Sequence, residues 1–295
     1  MMNILVTGGA GFIGSHIAEY FLSEGHNVRI VDNLSSGYQE NIPESAEFVN
    51  EDIYSVSPDV FEGVDYVFHE AALVSVPVSC QQPEEAFRIN TLGTMNVLQN
   101  SLDAGVEKVV LASSAAVYGN NPILPKMEDM LPEPASPYAI SKMDCEYLAG
   151  MFHDKGLRTT CLRYFNVYGP RQDPNSPYAA VIPIFMKRAK EGKDLVIYGD
   201  GTQTRDFVNI QDVVRANVAA MDNGDGDVFN VATGTSVSVQ EIAETIIEIT
   251  GSSSDIVYEE EREGDIKDSV ADVSKISGWW ESKVDLEEGL KNFDG

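Results

Sequence analysis

The stretch Asn3-Ile4-Leu5-Val6-Thr7-Gly8-Gly9-Ala10-Gly11-Phe12-Ile13-Gly14 decides how this chain folds. An apolar strand runs straight into a glycine-rich turn, and the apolar spacing after it predicts a helix over residues 15–23. Gly8, Gly11 and Gly14 permit a tight turn, close approach of the backbone to a pyrophosphate, and close helix–strand packing; Phe12 and Ile13 lie in the same turn. The helix N-terminus then faces the phosphates. A glycine trio alone is weak evidence. Here the next strand, residues 27–31, ends at Asp32-Asn33, close to the roughly twenty-residue offset at which an acid takes the ribose hydroxyls. The reading is therefore a dinucleotide site, and because a carboxylate at 32 repels a 2'-phosphate, NAD is favoured over NADP.

Outward from that stretch, strands and helices keep alternating. A strand over 47–53 brings Asp52 and Ile53 towards the adenine, and a strand over 64–69 is followed by Ala71 and Ala72, small enough for a cofactor to lie against the backbone. His69 has catalytic chemistry available, but at the end of a buried strand it reads first as a satisfied core histidine. A helix over 84–104 carries Asn90, suited to bracing neighbouring backbone. Strand 108–112 delivers Ser113 and Ser114 to the carboxyl edge of the sheet, where doubly wound folds bind ligands. A sixth strand covers 157–164. The expected fold class is α/β: a Rossmann-like doubly wound parallel sheet over 1–171, then a smaller C-terminal α+β substrate-binding part over 172–295. Elements near 205–235 return to the first part, among them a strand over 228–231. Helices are expected over 179–191, 212–221 and 239–250.

Tyr138 and Lys142 stand four residues apart at the start of a helix, on one face. A phenol with pKa near about 10 must move roughly three units, about 4 kcal/mol, to ionise at neutral pH, and a neighbouring ammonium favours that. Such a pair is commonly just a surface accident. Its position after the fifth strand, with Ser114 at the same edge, makes it a candidate general base acting on a hydroxyl.

The totals narrow the partners. Across 295 residues, 47 Asp plus Glu against 20 Lys plus Arg give a formal charge of −27, which disfavours nucleic acid and anionic membrane. A cytoplasm rich in salt and a merely acidic, soluble surface both account for it. No apolar run reaches the roughly 20 residues that span a bilayer, and the start lacks a basic leader, so a cytoplasmic protein is expected. Cys80, Cys145 and Cys161 suggest neither disulfides nor a metal site. Arg205 and Arg262 are natural clamps for a diphosphate in so arginine-poor a chain, although Arg262 can equally balance its acidic neighbours.

Together the N-terminal Thr-Gly-x-x-Gly-x-x-Gly, Ser-Ser-x-x-x-Tyr-Gly at 113–119, Tyr-x-x-x-Lys at 138–142, Arg-Tyr-Phe-Asn-x-Tyr-Gly-Pro at 163–170, Arg-Asp-Phe at 205–207 and Arg-x-Gly-Asp at 262–265 resemble the extended short-chain dehydrogenase/reductase superfamily. Within it the chain is most similar to the UDP-sugar 4-epimerases. The resemblance implies tightly held NAD, with Tyr138 taking the proton of the sugar 4-hydroxyl, Lys142 holding the cofactor ribose and Ser114 bonding the sugar oxygen. It implies that Tyr164 and Phe165 pack near the nicotinamide, that Asn166, Arg205 and Arg262 bind the diphosphate side, that Val181, Tyr198 and Val239 surround the uridine, and that Ala180 and Asp265 also bind substrate. A homodimer through helices 84–104 and 138–155 is also implied.

Related 4,6-dehydratases need acids beside the serine, and related sugar-acid decarboxylases carry a glutamate there; this chain has Ala115 and Ala116, which favours simple epimerisation. A non-catalytic NAD-binding sensor is the other alternative, and the intact Ser114, Tyr138 and Lys142 argue against it. Seven residues after Arg262, where a tyrosine in the family tends to exclude N-acetylated sugars, stands Ser269. The expected substrates are thus UDP-glucose/UDP-galactose together with UDP-GlcNAc/UDP-GalNAc. Residues 171–174 and 178–183 also resemble the N-acetylhexosamine epimerases. Val74 replaces a lysine found near the cofactor phosphates in several relatives, implying weaker cofactor retention, and the short C-terminus leaves its packing open.

Overall fold

Period-two alternation sends the side chains of the first strand into two separate cores. Ile4 and Val6 of β1 (Asn3–Thr7) pack with one set of helices and Leu5 with another, so the strand needs cover on both faces. The structure, a computed structural model, describes residues 1–174, 180–261 and 266–293. Its main sheet joins β1 to β2 (Asn27–Val31), β3 (Glu47–Val49), β4 (Tyr66–His69), β5 (Lys108–Ser114), β6 (Arg158–Tyr164) and β11 (Asp227–Val231), in the order β11-β6-β5-β4-β1-β2-β3. Every pairing is parallel.

Helices α1 (Phe12–Ser23) and α7 (Ile210–Ala220) cover one face, with Ile17, Phe21 and Val213 packed on Val6, Phe68 and Val110. On the other face α4 (Gly93–Ala104) and α5 (Pro137–Asp154) place Val97, Leu98, Ala149 and Phe152 against Leu5, Val67 and Val109. The doubly wound parallel sheet expected from the sequence is therefore present. Strand order reverses between β1 and β4, which opens a crevice at their carboxyl ends.

A third core lies among the later residues. There α6 (Val181–Lys190) and α8 (Val239–Thr250) enclose Phe185, Leu195, Ile197, Phe207 and Ile242. Around it run two-stranded pairs: β7 (Asn166–Tyr168) with β10 (Phe207–Asn209), β9 (Thr204–Arg205) with β12 (Val237–Ser238), and β8 (Leu195–Tyr198) with β13 (Ile256–Glu259). The chain's end is held by α9 (Leu286–Lys291), capped by Asp285, with Leu290 buried in this core.

Several expected boundaries shift for local reasons. β3 stops at Val49 instead of reaching residue 53, because Glu51 bonds back to the Val49 carbonyl and Ser55 to that of Asp52, turning the chain. β4 starts at Tyr66 because Gly63, at φ 69°, closes a turn before it. The single helix expected over 84–104 is α3 (Pro83–Ala86), a π-helical turn over Phe87–Leu92, then α4. Neither α2 (Val76–Gln81) nor β13 was expected.

One buried ion pair ties the sheet to α5. Arg163 donates from Nε and a terminal nitrogen to both oxygens of Glu146, at 2.8 and 2.7 Å, and from its other terminal nitrogen to the Tyr118 hydroxyl at 2.9 Å. Both side chains are under a tenth exposed, so Glu146→Ala strands a guanidinium in the interior. That variant should lose about 3–5 kcal/mol in urea unfolding, whereas an ordinary surface Glu→Ala change costs under about 1 kcal/mol.

Candidate active site

The turn between β1 and α1 is shaped by close approaches that admit no side chain. A Cβ on Gly14 would lie 2.3 Å from the Gly8 carbonyl oxygen; one on Gly8, which sits at φ +70°, would lie 2.7 Å from the Ala71 nitrogen. Gly11 differs. Its added Cβ would meet only the Gly8 oxygen, at 3.1 Å, and would otherwise enter open space at the start of α1, where no side chain caps the helix. Uncapped N–H groups beside an open cradle suit a pyrophosphate. Asp32 closes β2 with its oxygens accepting from the backbone nitrogens of Ala10 at 3.0 Å and Leu34 at 2.8 Å. Each oxygen keeps lone-pair capacity for a ribose hydroxyl. Asn33 donates to Asp52 at 3.0 Å, joining the second and third strand ends, and Ile53 is buried beside them against Gly93. These residues fit a dinucleotide.

The backbone after β4 is braced from the π-helical turn and α5. Asn90, in the π-helical turn, accepts from the Leu73 nitrogen at 2.7 Å, donates to the Leu73 carbonyl at 3.1 Å and to Ser141 at 2.8 Å. It holds Ala71 and Ala72 at the crevice through neighbouring backbone, the bracing expected from the sequence. His69 is held between Thr7 at 2.7 Å and Thr94 at 2.8 Å. Burial, with help from the Lys142 ammonium, pushes the imidazole down to about 3, so it is neutral at all working pH values and serves the core.

Tyr138 opens α5, its backbone nitrogen held by the Ser79 hydroxyl at 3.1 Å. One turn on, buried Lys142 donates to the Ala112 carbonyl at 2.8 Å, two residues before Ser114. Ser114 ends β5 and caps the 3₁₀ turn of Ala115–Tyr118 by accepting from the Ala116 nitrogen at 3.1 Å. The structure thus brings the serine, tyrosine and lysine to one carboxyl edge. Sequence reasoning passed over the acid next to them. Glu70 accepts at 2.9 Å from the Tyr164 hydroxyl, while its Oε2 is shut off from solvent with no hydrogen-bond partner among the described residues. Burial lifts this carboxyl to about 7, opposed by the Tyr164 hydrogen bond and the Lys142 charge. A charged residue at the end of a buried strand was the available signal. Tyr164 also accepts from Asn217 at 2.8 Å, and its own burial holds the phenol well above its usual range. Phe165 packs beside Tyr118.

A cavity of about 470 Å³ lies beyond, lined by Asn166, Ala180, Val181, Tyr198, Arg205 and Val239, all singled out from the sequence. Gln172, Arg188 and Gln203 also line it and were missed. The signal for Arg188 was its place with Val181, Ile184 and Phe185 on one stripe of α6. Ser114 and Ser269 lie outside this lining; Ser269 donates its backbone N–H to Thr204 at 3.1 Å and stands two residues before Ala271, which packs with Val117, Tyr118 and Phe165. Asp206 holds that corner together by accepting from the nitrogens of Thr233, Gly234 and Ala271. Arg262 and Asp265 lie outside the described residues, as do residues 178 and 179.

Among known proteins, the chain matches the model of the NAD dependent epimerase/dehydratase family over residues 4–232. A UDP-glucose 4-epimerase of Thermotoga maritima, solved with UDP-glucose, superposes with a TM-score of 0.95 at 42% identity, over 99% of this chain and 97% of that one. A UDP-N-acetylglucosamine 4-epimerase of Methanobrevibacter ruminantium, in complex with UDP-N-acetylmuramic acid, gives a TM-score of 0.96 at 40% identity, over 99% and 97% of the two chains. A UDP-N-acetyl-alpha-D-glucosaminuronate decarboxylase of Bacillus cytotoxicus is 40% identical over 86% of this chain and 82% of its own.

The open cradle gives a direct test. Gly11 has φ −82°, which any residue adopts, so Gly11→Val should fold with a loss within about 1 kcal/mol while its side chain fills the cradle. NAD affinity, read by calorimetry on stripped protein, should fall at least about tenfold, or about 1.4 kcal/mol.

Proposed function

The chain belongs to the NAD dependent epimerase/dehydratase family, and from that premise we propose that it inverts C4 of a UDP-sugar through a transient 4-keto sugar. The observation that carries this reading is the carboxyl edge of β5 and α5. Ser114 ends β5, Lys142 bonds the Ala112 carbonyl of the same strand, Tyr138 stands one turn before Lys142 in α5, and the residues that follow Ser114 are Ala115 and Ala116. The related dehydratases and sugar-acid decarboxylases, by family resemblance, carry a further acid at that turn, and neither alanine supplies one. The cavity lined by Asn166, Val181, Tyr198, Arg205 and Val239 is where the uridine diphosphate is held.

NAD supplies a hydride acceptor and donor at C4. Tyr138 removes the proton of the 4-hydroxyl and later returns it, Ser114 hydrogen-bonds the same oxygen, and Lys142 fixes the ribose beneath them. Arg205 and Asn166 keep the diphosphate anchored while the sugar turns between its two faces. Arg262, by family resemblance, completes that anchor. Ser269 leaves room for a 2-acetamido group, so the proposed substrates are UDP-glucose/UDP-galactose and UDP-GlcNAc/UDP-GalNAc.

The working form we assign is a homodimer. Leu92 of the π-helical turn and Met95 of α4, with Ile140, Tyr147 and Met151 spaced along one stripe of α5, are large apolar residues left exposed on elements that pack together. Among the described residues no helix is long and apolar enough to cross a membrane.

Tyr138→Phe should keep NAD bound and lower kcat by about 10²–10⁴-fold, the usual value of a positioned acid–base group; full turnover would remove Tyr138 from the mechanism. Ser269→Tyr should lower kcat/KM for UDP-GlcNAc at least about tenfold relative to UDP-glucose, measured on both sugars in one assay. An unchanged ratio would dismiss the pocket assignment.

A further inference from the structure

Glu70 is an acid at this edge that the proposed proton transfer leaves unused and whose second oxygen is buried with no partner among the described residues. Its side chain lies on the α7 side of the sheet, whereas His69 before it bonds Thr94 on the opposite, α4 side. Its backbone nitrogen bonds the Thr7 carbonyl, so the residue stands at the switch point between β1 and β4. One carboxyl oxygen is occupied by Tyr164 and the other, Oε2, is buried without a partner. A buried lone oxygen is costly, and such atoms call for an unseen partner. The residue itself keeps some exposure in the ligand-free chain, so it forms part of the crevice wall. The charges and titratable groups around it are few: the Lys142 ammonium from α5, the protonated Tyr164 phenol from β6, and the neutral His69 ring on its own strand. Asn217 of α7 reaches it only through Tyr164.

We propose that Glu70 is a positioning residue that sets the redox balance of the bound cofactor, its carboxylate lying beside the nicotinamide end and favouring the cationic NAD ring over neutral NADH. The oxidised ring carries a positive charge that disappears when a hydride arrives. A carboxylate near the ring in a partly desolvated crevice would therefore stabilise one form and not the other. Protonating Glu70 removes that preference. Because burial places its titration near neutrality, the preference is weak at pH 6 and full at pH 8.5. Poised in this way, the group keeps the resting enzyme oxidised and ready for sugar. The inference rests on cofactor binding and not on the identity of the sugar.

Holoenzyme without sugar is titrated between its NAD and NADH forms against a mediator dye, at pH 6 and at pH 8.5. Relative to free cofactor, the wild-type protein should favour NAD about tenfold more strongly at pH 8.5 than at pH 6, which is about 30 mV for a two-electron couple. Glu70→Gln keeps the size and the acceptor for Tyr164 and should show the same preference, within about twofold, at both pH values. Tyr164→Phe removes the hydrogen bond that favours the carboxylate and should move the transition to higher pH. A pH-dependent preference that persists in Glu70→Gln, or its absence from the wild type, would overturn the proposal. So would an unmoved transition in Tyr164→Phe, which also serves if Glu70→Gln does not fold. Because no sugar is present, each of these failures leaves the epimerase reading standing.

Discussion

Everything at the site depends on how closely the β1–α1 turn approaches the end of β4. Gly8 leaves no room for a methyl group against Ala71, and Gly14 none against Gly8. That contact sets the width of the crevice where strand order reverses. Asn90 and His69 are its supports: one bonds both backbone groups of Leu73, the other bridges Thr7 and Thr94. Their hydrogen bonds satisfy buried polar groups that would otherwise destabilise the edge, and in doing so they fix where the Ala71–Ala72 backbone can lie.

The same edge sorts polar groups by environment. His69 is held neutral by burial, Tyr164 is held protonated, and Glu70 is left near neutrality with one oxygen unshared. Lys142 of α5 is buried over the sheet, bonded to the Ala112 carbonyl. One ammonium thus acts on the acid of β4 and on the strand that ends in Ser114. The later part of the chain contributes a cavity instead of a charge centre, and Asp206 holds its corner together by gathering backbone from two segments, Thr233-Gly234 and Ala271.

Much of this was legible because it follows from local periodicity. The run from Asn3 to Gly14, the acid at 32 and the return of Val228-Phe229-Asn230-Val231 to the sheet could be read from apolar spacing and glycine placement. The lining of the cavity by Asn166, Arg205 and Val239 came through family resemblance, since those residues are far apart in sequence. What stayed hidden depends on tertiary partners. The π-helical turn around Asn90 has no period of its own, β13 is mostly exposed and pairs with β8 alone, and Glu70 becomes unusual only once Tyr164 takes one oxygen and burial isolates the other. The early end of β3 was likewise decided by turn hydrogen bonds after Val49.

The central claim is that a hydride leaves C4 and returns to the same carbon on the other face. The most direct measurement supplies UDP-glucose deuterated at C4 and follows the label in the product by NMR. The account predicts a C4 epimer that keeps its deuterium at C4, with none exchanged for solvent hydrogen and no water or carbon dioxide lost. Deuterium washed into solvent, or a product lacking the elements of water, would contradict it.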